Sequence, residues 1–388
     1  MHSPFGPRVL RTGAVLLLTA GLASACASTL DTVGPSSTPD KSGATWMELS
    51  SLKPMDNILS RIADARVVFV GETHTRYDHH LSQLAVLRAM HERHGKVAVG
   101  VEWFQQPFQQ HLDDYVAGRI GEAEMLERTG YFDRWRFDYR LYRPVVQYAR
   151  EKGIPIIALN AAKETTDRVS EVGVDGLSPE ERAGFPEIDR SNEAYARRLK
   201  QTFDQHPTGP KRSFDRFLEV QLTWDESMAD RAARYLRENP DHRLVVMAGS
   251  GHIAYGHGIP DRVKRRLPGI KAVSVMFENG YPVSPDLADI LVFSPEKALP
   301  EQGLLGLFLD STPEGLKVRG FSDESAGKAA GIDEGDTLVE IDGQALTSYA
   351  ALRMAMLESR PGQKVSVKVR HEGLFGRSSD KTVEVTLK

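Results

Sequence analysis

The chain lacks the features that would assign it to several familiar classes of protein. Cys26 is its only cysteine in 388 residues, so no disulfide can form within the chain. Its 49 Lys and Arg residues are offset by 53 Asp and Glu residues and are scattered among them. Such a surface has no basic field of the kind that nucleic acids attract. The composition therefore predicts neither a disulfide scaffold nor a nucleic-acid partner.

One short apolar run near the N-terminus has the features of a secretory signal. Arg8 and Arg11 precede the apolar residues 14–22, and small residues then lead to Cys26. The run is too short to span a bilayer comfortably, but a basic start, a short apolar core and small residues are typical of a cleaved signal peptide. We therefore predict a signal peptide at residues 1–25.

The position of Cys26 resembles the bacterial lipoprotein cleavage site, at which the cysteine is acylated. The alternative is ordinary signal cleavage with an incidental cysteine. Residues 26–45, which are rich in Ser, Thr, Pro and Gly, are predicted to form a flexible, lipid-anchored tether. On this interpretation the protein is exported and held by lipid in the bacterial cell envelope, at the periplasmic side of the outer membrane.

Residues 46–294 alternate strand-like and helix-like patterns, which indicates an α/β domain. Its strand-like runs are continuously apolar, as in parallel sheets that are covered on both faces. We expect a mostly parallel sheet flanked by helices. Four of the runs lead directly into polar side chains: residues 67–70 into Glu72 and His74, residues 97–101 into Glu102, residues 154–159 into Asn160, and residues 244–247 into His252.

These polar side chains are expected to converge, because ligands bind at the carboxyl ends of the strands in open parallel sheets. Carboxylates and imidazoles gathered in this way can bind a metal, act as acid and base, or hydrogen-bond a cofactor. The structural alternative is that individual members only cap neighbouring helices. The sequence leaves these roles open.

Helical patterns supply further candidates beside this cleft. Residues 104–148 form a predicted helical subdomain crowded with aromatic residues, which suits either packing on the sheet or the apolar wall of a pocket. A long helix is predicted over residues 214–238, on which Gln221 and Asp225 are four residues apart and face either the cleft or solvent.

Tyr255 lies on a glycine-rich loop that follows His252. A phenolate is one of the known axial ligands of haem iron, so an exposed tyrosine beside a cleft is a candidate haem ligand. The alternative is a packed tyrosine whose hydroxyl is hydrogen-bonded.

Several ordered motifs together resemble the ChaN-like haem-binding lipoproteins, a family related to the Tiki proteases and the erythromycin esterases. The resemblance spans about residues 50–294 and rests on Gly71-Glu72-Thr73-His74, Gly100-Val101-Glu102, Leu159-Asn160, residues 221–229 and Gly249-Ser250-Gly251-His252 with Gly258-Ile259-Pro260. It implies haem held between two subunits with tyrosine ligation, for which Tyr255 is the candidate ligand. It also implies a cofactor-binding role for His252, His74, Glu72, Glu102 and Asn160.

Residues 300–388 have a different texture, with short alternating strands and turns, and they resemble a bacterial PDZ domain. The likeness rests on residues 330–343 and on a carboxylate loop formed by Leu305, Gly306, Leu307 and Phe308. A PDZ domain is a small β-barrel-like fold with helices, and it implies a groove that binds a partner's C-terminal peptide by strand addition. The alternative is a domain that only rigidifies or dimerises the protein.

Three functions remain open. The first is an envelope-anchored haem-binding lipoprotein that takes part in haem uptake or handling, forms a possible homodimer and recruits an envelope protein through its PDZ domain. The second is a hydrolase of peptides or esters in which Glu72, His74, Glu102 and His252 act with zinc or manganese, held by His74, His252 and Glu102. The third is a PDZ scaffold with a degenerate enzyme domain.

Overall fold

The computed structural model describes residues 47–205, 213–278, 280–313, 315–372 and 378–388. The predicted signal peptide, Cys26 and the predicted tether lie outside these residues. Within the described ranges, no helix combines the length and apolar character needed to cross a bilayer.

The N-terminal part of the chain is built on a six-stranded, fully parallel sheet, which confirms the predicted α/β fold. Its strands are β1 (Val67–Glu72), β2 (Val97–Gln105), β3 (Ile156–Asn160), β4 (Arg243–Gly249), β5 (Ala272–Phe277) and β6 (Ile290–Val292). Their spatial order is β3-β2-β4-β1-β5-β6, so β2, β4 and β1 are neighbours at the centre. The three strands that carry Glu72, Glu102 and the loop to His252 therefore end side by side.

Helices pack on both faces of this sheet. They are α1 (Leu59–Ile62), α2 (Tyr77–His94), α3 (Gln109–Val116), α4 (Glu122–Arg128), α5 (Tyr131–Arg134), α6 (Tyr139–Lys152), α7 (Lys163–Val172), α8 (Pro179–Arg182), α9 (Glu193–Gln205), α10 (Phe214–Glu238) and α11 (Ile259–Arg266). Alternate side chains of β1 enter opposite cores: Val68 packs in the core that includes α2, and Phe69 packs in the core that includes α10. This double burial explains why the strands are apolar at every position rather than at alternate ones.

The segment from α3 to α6 forms the predicted helical subdomain. Its aromatic residues are mostly buried, and the side chains of Tyr131, Tyr139 and Tyr142 are almost fully enclosed. The rings of Trp103, Tyr131 and Trp135 surround Tyr142, with centroid distances between 4.6 and 6.5 Å. The aromatic residues are therefore structural as well as available to line the cleft.

The C-terminal part is an antiparallel sheet with two short helices. Its elements are β7 (Leu307–Thr312), β8 (Gly315–Phe321), α12 (Ala326–Ala329), β9 (Thr337–Ile341), β10 (Gln344–Ala345), α13 (Tyr349–Ala355), β11 (Lys364–Glu372) and β12 (Ser378–Thr386). The strand order is β12-β11-β9-β8-β7, and β10 pairs with β9. β7 is an edge strand, which leaves one row of its backbone groups available for an added strand.

Candidate functional site

Two histidine–carboxylate pairs face each other at the carboxyl end of the parallel sheet. Glu72 is the last residue of β1 and is in register with Gly249, the last residue of β4. Glu102 lies on the adjacent β2, and His252 is in the turn that follows β4. The structure therefore brings together four of the residues that the sequence singled out, because three neighbouring strands end at one edge.

The first pair is Glu72 with His74. The distance from His74 Nδ1 to Glu72 Oε1 is 2.5 Å, and the Glu72 side chain is fully buried. Burial lowers the pKa of His74, but the hydrogen bond and charge of Glu72 outweigh it, so the pKa is raised above its ordinary value. The second oxygen, Oε2, is buried and has no hydrogen-bond partner among the described residues.

The second pair is Glu102 with His252. The backbone N–H of Gly249 donates to Glu102 Oε2 at 2.6 Å, and His252 Nε2 lies 3.4 Å from Glu102 Oε1. Burial raises the pKa of Glu102, but the charges of His252 and His74 and the Gly249 hydrogen bond lower it to about 2. Glu102 is therefore an anion throughout the physiological pH range.

Asp225 and Tyr195 support His252 from behind. His252 Nδ1 is 2.6 Å from Asp225 Oδ1, and the Tyr195 hydroxyl donates to the other oxygen of Asp225. Burial lowers the pKa of His252, yet the two carboxylates raise it well above its ordinary value. His252 is therefore a buried imidazolium held between Glu102 and Asp225.

These two supporting residues differ in how far the sequence revealed them. Asp225 is buried on the cleft side of α10, whereas the sequence left open whether it faces the cleft or solvent. Tyr195, on α9, was not among the sequence candidates. The sequence signal for Asp225 was its place in the motif of residues 221–229, whereas no local pattern marks Tyr195.

Gly249 keeps the centre of the cluster open. A Cβ atom at this position would lie 2.9 Å from His74 Cε1 and 3.6 Å from Glu102 Oε2. A side chain at residue 249 would therefore occupy the space between the two pairs. The glycine is required here by the close approach of other side chains.

The donor set matches a small divalent cation. One ligand atom from each of Glu72, His74 and Glu102 lies within 4.8 Å of the others. The orphaned oxygen of Glu72 supplies a buried acceptor, and carboxylate oxygen with imidazole nitrogen is a ligand set that zinc accepts. His252 is placed differently, because both of its ring nitrogens face carboxylates.

Asn160 ends β3 and lies beside the cluster rather than within it. Together with Glu102 and Trp135 it lines a void of about 10 Å³, and its Oδ1 atom is buried without a hydrogen-bond partner among the described residues. Trp135 and Phe137 cover the other side, with ring centroids 5.0 and 4.7 Å from that of His74. The aromatic subdomain thus forms a wall of the cleft.

Tyr255 is in the glycine-rich loop that follows His252 and is half-buried. Its backbone has φ +60°, in the left-handed region that non-glycine residues seldom adopt. Its ring stacks on His257 at 5.7 Å and meets the edge of Tyr281 at 6.2 Å. Burial and the charge of Asp286 raise its pKa.

Arg198 connects this loop to the buried cluster. Its guanidinium donates to the carbonyl of Gly251 and lies over the ring of Tyr195, at 5.3 Å. It also contacts the Tyr281 hydroxyl at 3.4 Å. The phenol of Tyr255, the aromatic faces beside it and the guanidinium of Arg198 come from different segments and meet here. Together they match haem, which needs a ligand for its iron, apolar contacts and a partner for its carboxylates.

The predicted peptide-binding residues lie at the mouth of a groove between β7 and α13. Leu305 is buried, whereas Phe308 is half exposed, and Gly306 has φ +69°. The groove has a volume of about 270 Å³ and is lined by Gln302, Gly303, Leu304, Leu305, Gly306, Leu307, Phe308, Leu309, Ser322, Tyr349, Leu352, Arg353 and Met356.

Comparisons with known proteins agree with this architecture. A family model described as haem-binding uptake, Tiki superfamily, ChaN matches residues 58–263, and a PDZ domain model matches residues 303–387. The solved structure of ChaN of Campylobacter jejuni, titled for cofacial heme binding, is 19% identical with a TM-score of 0.51, and the match covers 61% of this chain and 90% of that one.

A curated plant protein, RETICULATA-RELATED 5, chloroplastic, of Arabidopsis thaliana, is 25% identical over 240 residues. The match covers 56% of this chain but only 31% of the plant protein. This chain therefore spans about a third of the length of that relative.

Proposed function

Since the ChaN family model matches more than half of the chain, this protein belongs to the haem-binding uptake family of the Tiki superfamily, ChaN, and we propose that it binds haem through Tyr255 at the bacterial cell envelope. Its ChaN-like domain is followed by a PDZ domain, and the two domains together support a role in haem handling. The observation that carries the proposal is the Tyr255 loop, where a half-buried phenol, two aromatic neighbours and Arg198 occur together.

In this proposal Tyr255 would hold the haem iron, Arg198 would pair with a haem carboxylate, and His257 and Tyr281 would contact the ring. Haem would supply an iron centre that a phenolate can ligate. Because the pKa of Tyr255 is raised, ligation must displace a proton. Haem affinity is therefore expected to fall as the pH is lowered.

A haemin titration of the mature protein tests the proposal. We expect a saturable shift of the Soret band, lost or strongly weakened in Tyr255→Phe. Tyr281→Phe is the matched control, since it removes the hydroxyl of the tyrosine whose ring contacts Tyr255, keeps that ring and should retain the shifted band. A non-saturating spectrum, or equal loss in both variants, would contradict ligation by Tyr255. A mass measurement of the complex tests whether haem is shared by two subunits.

The remaining parts of the proposal concern location and partners. We propose that acylated Cys26 anchors the protein at the periplasmic side of the outer membrane and that the PDZ groove binds the C-terminal peptide of another envelope protein. The edge strand β7 and the open groove support the second point, because an added peptide strand would complete the sheet. Membrane fractionation of wild type and Cys26→Ser tests the anchor: the variant should move to the soluble fraction.

A second candidate function, metal-dependent hydrolysis of a peptide or ester, is favoured by one observation. Glu72, His74 and Glu102 offer three ligand atoms within 4.8 Å, and one oxygen of Glu72 is buried with no hydrogen bond from any described residue. A divalent ion in this cluster would supply Lewis acidity, and the residues here would hold it and orient a water molecule.

Elemental analysis of protein purified without added metal separates this candidate from simple haem binding. Stoichiometric zinc or manganese that is lost in His74→Ala supports it. His371→Ala is the control, because His371 belongs to the second cluster with Asp333 and Asp336 in the PDZ domain. Metal that persists in His74→Ala, or no metal at all, argues against a hydrolase.

A further inference from the structure

Helix α13 is shared between the peptide groove and the body of the ChaN-like domain. Tyr349, Leu352 and Arg353 line the groove. On the side of the ChaN-like domain, Met354 and Leu357 pack against the core cluster that contains α2 and β2. Arg143, on α6, forms an ion pair with Glu358 in the turn that follows this helix. One element therefore contacts both the peptide position and the N-terminal domain.

Two groove residues contact the same side chain of the aromatic subdomain, Phe132. The Tyr349 ring meets the edge of Phe132 at 6.3 Å and 88°. The Arg353 guanidinium lies over the same Phe132 ring at 5.4 Å. Both side chains also line the groove, so the groove wall and the position of Phe132 are physically connected.

Phe132 is joined to the cleft by a short run of aromatic contacts. Its ring packs on Tyr131 at 5.3 Å, and Trp135 and Phe137 follow it closely in the chain. Both of these residues contact the His74 ring. Between them, Arg136 has φ +68°, a conformation that a non-glycine residue keeps only when its surroundings enforce it.

We propose that a partner's C-terminal peptide in the PDZ groove regulates the His74 cleft through α13 and residues 131–137. When α13 is ordered, Tyr349 and Arg353 hold the Phe132 ring in place. Phe132 in turn fixes the position of Trp135 and Phe137 against the His74 ring. Coupling of this kind is reciprocal, so haem or metal in the cleft also changes peptide affinity. This inference rests on the peptide-binding role proposed above for the groove, and the haem readout below also rests on the proposed haem binding.

The test fills the groove covalently, which requires no choice of peptide sequence. In a Cys26→Ser background, Leu304→Cys places the only thiol of the chain at an exposed position that lines the groove. N-benzylmaleimide then adds an apolar group there. A second site, Leu309→Cys, repeats the experiment from β7. Lys364→Cys, on the exposed face of β11, is the control for labelling as such.

Hydrogen exchange measured by mass spectrometry gives the primary readout. We expect labelling at Leu304→Cys to slow exchange about five-fold both in residues 349–355 and in residues 131–137, with no change for Lys364→Cys. In the labelled protein, Phe132→Ala or the milder Arg353→Gln should cancel the effect on residues 131–137 and leave that on residues 349–355.

The proposal is overturned if residues 349–355 respond and residues 131–137 do not, or if neither segment responds at either groove thiol. Haemin affinity is measured in the same samples and should change about five-fold on labelling. A chain that binds no haemin would refute the proposed haem function, while the exchange data would still decide the coupling.

Discussion

The cleft of the ChaN-like domain and the groove of the PDZ domain hold their ligand-facing groups in opposite ways. The cleft buries charged side chains and satisfies most of them with one another, as in the set His252, Glu102 and Asp225. The groove instead leaves apolar side chains such as Leu304 and Phe308 half exposed beside an edge strand. A buried charged site is formed before its ligand arrives, whereas an open apolar groove is completed by the ligand. We therefore expect single-atom substitutions in the cleft to lower stability strongly and substitutions in the groove to change it little.

The largest effect that tests this contrast is expected from Asp225→Asn. Removal of one buried carboxylate leaves the His252 charge under-compensated, so the free energy of unfolding should fall by about 3–5 kcal/mol. The comparison is Asp380→Asn, which breaks an exposed ion pair with Arg370 in the PDZ domain and should change nothing measurable. Urea denaturation of both variants is the measurement. Similar midpoints for the two variants would remove the contrast.

The pH dependence of stability offers the next test. The lowered pKa of Glu102 stabilises the fold above about pH 4.5, and this contribution is lost as the pH falls through about 2. The raised pKa of His252 stabilises the fold below about pH 6.5, and that contribution is lost as the pH rises through the raised value.

The wild type should therefore be more stable than Glu102→Gln, and the difference in stability should be largest between about pH 4.5 and 6.5. This stability advantage should shrink by about 3 kcal/mol at strongly acidic pH, as the carboxylate is protonated. Thermal unfolding across this range gives the answer. A constant difference at every pH would show that the pair is not ionised in the folded state.

A smaller effect is expected when a methyl group is added at the centre of the cleft. In Gly249→Ala the new Cβ would lie 2.9 Å from His74 Cε1, so the His74 ring must shift. The free energy of unfolding should fall by about 1–3 kcal/mol. Gly251→Ala is the matched control, because no atom lies within 4 Å of its Cβ position. If both variants behave alike, the cleft has more room than its geometry indicates.

The smallest effect is expected in the groove. Leu304 is 56% exposed, so Leu304→Ser should change the free energy of unfolding by less than about 0.5 kcal/mol. Denaturation of the full chain checks this value. A loss of more than about 1 kcal/mol would mean that Leu304 is part of the domain core rather than a free ligand-binding surface.

The parallel sheet was predictable because a strand buried on both faces must be apolar throughout. The position of Glu72, Glu102 and His252 at one edge followed from that prediction, since each lies in or just after the C-terminal part of a strand that belongs to the sheet. The helix over residues 214–238 was also predictable from its periodicity and corresponds to α10. These inferences needed only local pattern and the rules of parallel sheets.

Other parts of the site were not predictable, because they depend on contacts between distant elements. Tyr195 reaches the cleft only because α9 packs beside α10, and no nearby residue in the sequence indicates its bond to Asp225. The grip of Tyr349 and Arg353 on Phe132 joins residues more than 200 positions apart in the chain.

The amino-acid sequence alone determined two domains, the parallel sheet and the set of acidic and imidazole groups at its edge, since these follow from periodicity and from the residues at strand ends. Only the tertiary structure decided that His252 lies between two carboxylates, that the Tyr255 ring stacks on His257, and that the groove wall contacts the aromatic wall of the cleft. The physical reason is that burial and charge pairing depend on which surfaces meet, and neighbouring residues in a chain do not specify this.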